Sequence, residues 1–393
     1  MTYNFDEIVP RKGTYSIKYD FAAARGMPED VLPLWVADMD FRSPKEVNEA
    51  LAKVVEHGIY GYSEAKEDYF PPIRDWFWKF FNFELQRDWL KKTPGVVYAL
   101  NTAIRALTQK GDKILIQSPV YYPFSSSVIN NGRILVDNPL IYQEGVYNID
   151  FEDFEAKIRD LNIKMFLLCS PHNPVGRVWT ADDLRRLGEI CLKYDCLVVS
   201  DEIHCDFVWG NHRHHIFNSL NPEFNKNTIL LTAPTKTFNL AGLHISNIFI
   251  PNPQLKREFS REIDRTGLSQ LTIMGLIANR EAYLRGEPWL KELKVYLERN
   301  LDFARKFIKE RLPRIGFVEP QGTYLLWLDF QNLGLTPSEV NERIIHKAKL
   351  WLDEGKIFGK NGIGFQRINF ACPRAILEDA FTRLQVVFQD IMP

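Results

Sequence analysis

Residues 165–176 read MFLLCSPHNPVG, five apolar residues in a row and then a turn rich in Ser, Pro, His and Asn. A short continuous apolar run bounded by turn residues marks a strand covered on both faces, the habit of parallel sheets flanked by helices. Four more runs of strand length surround it: 113–117 (KILIQ), 196–199 (CLVV), 228–231 (TILL) and 245–250 (ISNIFI). Helical periodicity fills the gaps. Between 169 and 196, Thr180 is an N-cap candidate, Asp182 and Asp183 follow in the first turn, and Leu184, Leu187 and Cys191 share one face. The alternation predicts an α/β layer architecture over 45–285, with a large, mostly parallel sheet.

The pattern changes beyond 285. A long helix is predicted over 288–311, a strand over 322–330, a helix over 337–352 and a closing helix over 375–391. These make a smaller α+β unit, 286–393, to which part of the N-terminal arm, 1–44, is assigned. A chain of 393 residues is long enough for two such units.

Composition narrows the function classes. Hydrophobic residues are 45% and charged residues 25% of the chain, and 49 basic against 50 acidic side chains leave a net charge of -1. That balance lacks the basic footprint of a nucleic-acid or anionic-membrane binder, so a small-molecule partner is expected. No run reaches the roughly 20 apolar residues of a membrane span. The first twelve residues carry Asp6, Glu7, Arg11 and Lys12 instead of a signal-peptide core, and the five cysteines form no C-x-x-C pair. A reduced, cytoplasmic setting is expected.

In an open parallel sheet, ligands bind beyond the carboxyl ends of the strands. Just past MFLLC comes Asn173, past CLVV come Asp201 and His204, and past TILL come Thr235 and Lys236. An amide, a carboxylate and an amine delivered to one edge suit pyridoxal chemistry. That cofactor needs an amine to form a Schiff base, a carboxylate to keep its ring nitrogen protonated, and donors for its phenolic oxygen and phosphate. Apolar neighbours of Lys236 would lower its pKa by desolvation.

SPHNPVGRVW (170–179), SDEIH (200–204), APTKTFNLAGL (233–243), GIYGY (58–62), WVADMDF (35–41), PVYYPF (119–124) and GFQRINFACP (364–373) resemble motifs of the fold-type I aminotransferase superfamily. Within it they are similar to the cystathionine β-lyase, or cysteine C–S lyase, branch. The resemblance implies pyridoxal 5′-phosphate on Lys236, with Asp201 at the ring nitrogen. Asn173, across a cis Asn173–Pro174 bond, is implied for the phenolic oxygen, and Tyr121 stacks on the ring. His204 stands where aminotransferases place a tyrosine. Val96 and Val97, at the start of a predicted helix 97–109, and Thr235 are implied for the phosphate. Tyr62 reaches that phosphate from the other subunit of a homodimer, and Arg367 clamps the substrate carboxylate. Two departures touch the phosphate site: His244 replaces an expected arginine, and Ala233 a common serine.

The activity so implied is α,β-elimination from L-cystathionine or a cysteine S-conjugate. The alternatives are an aminotransferase, or a regulatory binding protein that keeps the fold and cofactor. Other signals carry less. DEIH at 201–204 has helicase-box letters, but no G-x-x-x-x-G-K-[ST] loop accompanies it. His212, His214 and His215 read as a solvated polar loop and not as a metal site. Trp76, Phe77, Trp78, Phe80 and Phe81 read as packing.

Overall fold

A computed structural model describes residues 3–392. At its centre is a seven-stranded sheet of β1 (Leu90–Thr93), β2 (Lys113–Ile116), β3 (Ile134–Asp137), β4 (Met165–Cys169), β5 (Leu197–Asp201), β6 (Thr228–Thr232) and β7 (Ser246–Phe249), in the order β1-β7-β6-β5-β4-β2-β3. Only β7 runs against the rest, antiparallel to both β1 and β6. Every residue of β4 and β6 is buried, which is why both read as unbroken apolar runs. In register, Cys169 lies beside Asp201 and Asp201 beside Leu231, so three strands end at one edge.

Helix Ala181–Lys193 covers part of one face. Thr180 accepts from the Asp183 amide and Asp183 accepts from the Thr180 amide, a reciprocal cap that starts the helix where the sequence places it. Leu184, Leu187, Ile190 and Cys191 turn inward, and Gly188 lets the Phe224 ring lie directly on the helix.

The chain after 286 builds helix Glu287–Arg311, helix Arg374–Phe388, and an antiparallel sheet of β8 (Gly316–Val318), β9 (Leu325–Asp329), β10 (Asp353–Glu354) and β11 (Phe365–Asn369), ordered β8-β9-β11-β10. The helix expected over 337–352 is shorter. It runs Pro337–Glu342, widens through Arg343–Lys347, and after Lys349, whose φ of 53° is left-handed, becomes strand Leu350–Trp351 paired with Leu32–Pro33. The apolar run 350–352 supplies that strand and the residue after it, not a helix face. Residues 35–41 follow the pairing and run beside the end of β11, where the Asp40 amide donates to the Ala371 carbonyl at 3.0 Å. No helix among the described residues is long and apolar enough to cross a membrane.

Candidate active site

One cavity of about 690 Å³ opens where β4, β5 and β6 end. Asn173, Asp201, His204, Thr235, Lys236, Tyr121, Val96, Val97 and Arg367 all line it. Tyr62 does not. It lies in a stretch without helix or strand and is 97% exposed.

Lys236 sits on the short helix Pro234–Thr237 that follows β6, and its Nζ donates to the Ala37 carbonyl at 2.6 Å. Burial pulls this amine down to about 8; Arg367 pushes the same way, while Asp38 and Asp201 oppose. The last residue of β5, Asp201, is 6% exposed and accepts the Ile203 amide at 3.2 Å. Burial raises its carboxyl to about 7, with Glu202 adding and Lys236 opposing. No basic side chain among the described residues is within ion-pair reach of Asp201. His204 is driven well below the ordinary imidazole range by burial, then by Lys236 and Arg367, and its Nδ1 is buried without a partner.

Arg367 comes from β11 of the C-terminal sheet. Its Nη1 donates to Asn173 Oδ1 at 2.9 Å, so the Asn173 amide nitrogen is the end left free to donate into the cavity. The peptide bond Asn173–Pro174 is cis. Arg367 Nη2 donates to the Trp35 carbonyl at 2.8 Å and to Asp353 Oδ2, and its guanidinium lies 4.8 Å over the Phe358 ring. Helix Val96–Leu107 points its N-terminus at the same cavity, where free amides favour an anion.

Sequence reasoning missed two features. The backbone of 35–41 is a hub: Ala37 O also accepts from Tyr324 Oη at 3.0 Å, and Asn369 Nδ2 holds the carbonyls of Val36 (2.7 Å) and Asp38 (2.6 Å). A carbonyl carries no signal in a sequence. Asp353 was the second; the acid directly after the apolar run 350–352 was its only cue. His214 also departs from the solvated-loop reading. It is buried, with Nε2 2.7 Å from Glu202 Oε2, and Glu202 Oε1 accepts from Ser200 Oγ at 2.8 Å and the Phe217 amide at 3.0 Å. A buried carboxylate next to Asp201 needs donors, and the loop folds inward to supply one. Of the aromatic stretch, Trp76 and Phe77 are core, while Trp78 is exposed.

A desolvated amine, a buried carboxylate without a cation and an arginine already held by neighbours thus meet in one cavity at the carboxyl edge of a mostly parallel sheet, an arrangement suited to an enzyme. The chain belongs to the aminotransferase class I and II family, whose model matches residues 30–384. It is 41% identical to cystathionine beta-lyase PatB of Bacillus subtilis over 97% of this chain and 99% of PatB. To protein MalY of Escherichia coli it is 32% identical, over 96% of each. Cystalysin of Treponema denticola, a structure that contains a pyridoxal 5′-phosphate cofactor, matches with a TM-score of 0.96 and 37% identity over 100% of both chains.

Proposed function

We propose that this protein is a pyridoxal-phosphate-dependent carbon–sulfur β-lyase, which converts L-cystathionine or another cysteine S-conjugate to a thiol, pyruvate and ammonia. The observation that carries the reading is the placement of the Lys236 amine, held on the Ala37 carbonyl, in one cavity with Asp201 and Arg367. The residues fit the cofactor. Asp201 is a buried carboxylate short of a cation, which a pyridinium supplies. The free Asn173 amide nitrogen suits the phenolic oxygen, with His204 beside it, and Tyr121 offers a ring face. Val96 and Val97 sit at the anion-favouring helix start, and Thr235 lines the same cavity. Bound there, pyridoxal phosphate gives the substrate amine a covalent anchor and takes up the electron pair left on Cα.

Everything else falls to the chain's own groups. Lys236 would be the attachment point for the cofactor, and its Nζ, when free and neutral, would remove the substrate's Cα proton. Arg367 binds the α-carboxylate and fixes rotation about the Cα bonds. The Cβ–S bond then breaks with its electron pair on sulfur, and the Lys236 ammonium returns a proton to the leaving thiolate. Water completes the conversion to pyruvate and ammonia.

The same reading makes the protein a homodimer in which Tyr62 serves the partner's phosphate site, and it keeps the division at 45–285 and 286–393, with residues 1–44 as the arm. Support for the dimer is the exposure of Ile59, Tyr60 and Tyr62 on one stretch. The test supplies L-cystathionine without any oxo acid. A lyase releases pyruvate and homocysteine over many turnovers, whereas arrest after one turnover, relieved by an added oxo acid, identifies an aminotransferase and overturns the proposal.

A further inference from the structure

Arg367 and Asp353 are direct partners across the antiparallel pair β10–β11, so register alone brings their side chains together. Both are buried and both line the cavity. The turn after Asp353 is fixed by a backbone contact so close that a side chain on Gly355 would collide with the Gly362 carbonyl. The guanidinium is therefore occupied before any substrate arrives: Nη1 on Asn173, Nη2 on Trp35 O and Asp353, and one face on Phe358. Its Nε is buried and has no partner. A site meant only to bind a carboxylate tightly would leave the positive charge uncompensated. Here a carboxylate already offsets it, and an entering α-carboxylate must share one guanidinium with a like charge.

We propose that Asp353 is a positioning residue for the substrate's α-carboxylate, holding Arg367 in its pose while weakening the clamp's grip on carboxylates. The proposal rests on Arg367 being the carboxylate site. Its consequence is kinetic. Grip on the carboxylate that is equal in the ground and transition states lowers KM without speeding the chemistry, and it retards release of a carboxylate product. Asp353 reduces that uniform part and leaves the orientation intact.

The test uses the holoenzyme with L-cystathionine as substrate and propionate as a competitive inhibitor, an anion with no amine to react. Asp353→Asn keeps an oxygen acceptor for Arg367 and removes the competing charge. The propionate inhibition constant and the KM for L-cystathionine should both fall by at least about fivefold, a modest share of one nearby charge interaction, with no gain in kcat. Asp353→Glu, which keeps the charge, should retain the weak inhibition of the wild type. Should Asp353→Asn fail to fold, Asp353→Ser makes the same comparison. An inhibition constant that is unchanged or higher in the uncharged variants overturns the role of Asp353, because a purely structural aspartate would give that result. If propionate does not compete in the wild type, or if Arg367→Lys leaves its inhibition constant unaltered, the failure lies instead with Arg367 as the carboxylate site.

Discussion

Asp201 ends a buried strand and meets no cation among the protein's described groups, so its charge is carried at a cost until a ligand offsets it. The folded carboxyl stands near 7 against an ordinary 3.8, and burial is the main cause. Between those two values the folded protein binds more protons than the unfolded chain. Stability from this group is therefore fullest below about pH 4 and declines as pH rises through 7. The cofactor-free wild type should lose up to roughly 4 kcal/mol over that window relative to Asp201→Asn, since each pH unit between the two values is worth about 1.4 kcal/mol; water in the cavity reduces the figure. Denaturant midpoints of both proteins from pH 4 to 8 measure it. Parallel slopes would mean that the carboxylate is already paired. With cofactor bound, Asp201→Ala should cut turnover by well over tenfold, or more than ~1.4 kcal/mol of barrier.

At the scale of elements, helix Ala181–Lys193 lies against the Phe224 ring through Gly188, and Phe224 stacks on Phe217 with ring centroids 4.8 Å apart. A methyl at 188 would run into that ring. Gly188→Ala should cost about 1–3 kcal/mol by overpacking, despite alanine's better helix propensity. In the background of Phe224→Leu the same change should cost less, and chemical denaturation of the four proteins reads the coupling; additive losses would exclude the contact. This helix and the strands β4 to β6 were legible because burial on both sides leaves unbroken apolar runs between capped helices. The edge strands β1 and β3 were not. Lys91 and Lys92 interrupt one of them, and the other is only partly covered, with an apolar run of just three residues, 134–136, before Asp137. Asn173, Asp201 and Lys236 were legible for a related reason, since each follows a recognisable strand end. The place of Arg367 came from likeness of motif alone. The 35–41 hub works through carbonyls, and the link from Asp353 to Arg367 depends on a register that no local pattern announces.

For the whole molecule, Tyr62 is the expected site residue that stands apart from the site. Its side chain is 97% exposed and lies outside the cavity of its own chain, within 58–66, a stretch that forms neither helix nor strand. Ile59 and Tyr60 beside it are exposed as well. Three large apolar side chains on one segment are an unusual load for a solvated loop and an ordinary one for an interface. If the partner's Tyr62 completes each phosphate site, a Tyr62→Ala chain and a Lys236→Ala chain have complementary defects. Each homodimer has two broken sites. A mixed dimer places both lesions in one site and leaves the other intact. Co-expression with two affinity tags isolates that mixed dimer, and it should recover about half the wild-type activity per dimer, as expected for a closed two-fold arrangement with independent sites. Size-exclusion chromatography of the wild type should give the mass of two chains. Recovery needs Tyr62 to act across the interface: if Tyr62 served its own chain's site, the mixed dimer would carry one site lacking Tyr62 and one lacking Lys236, and would stay as inactive as its parents.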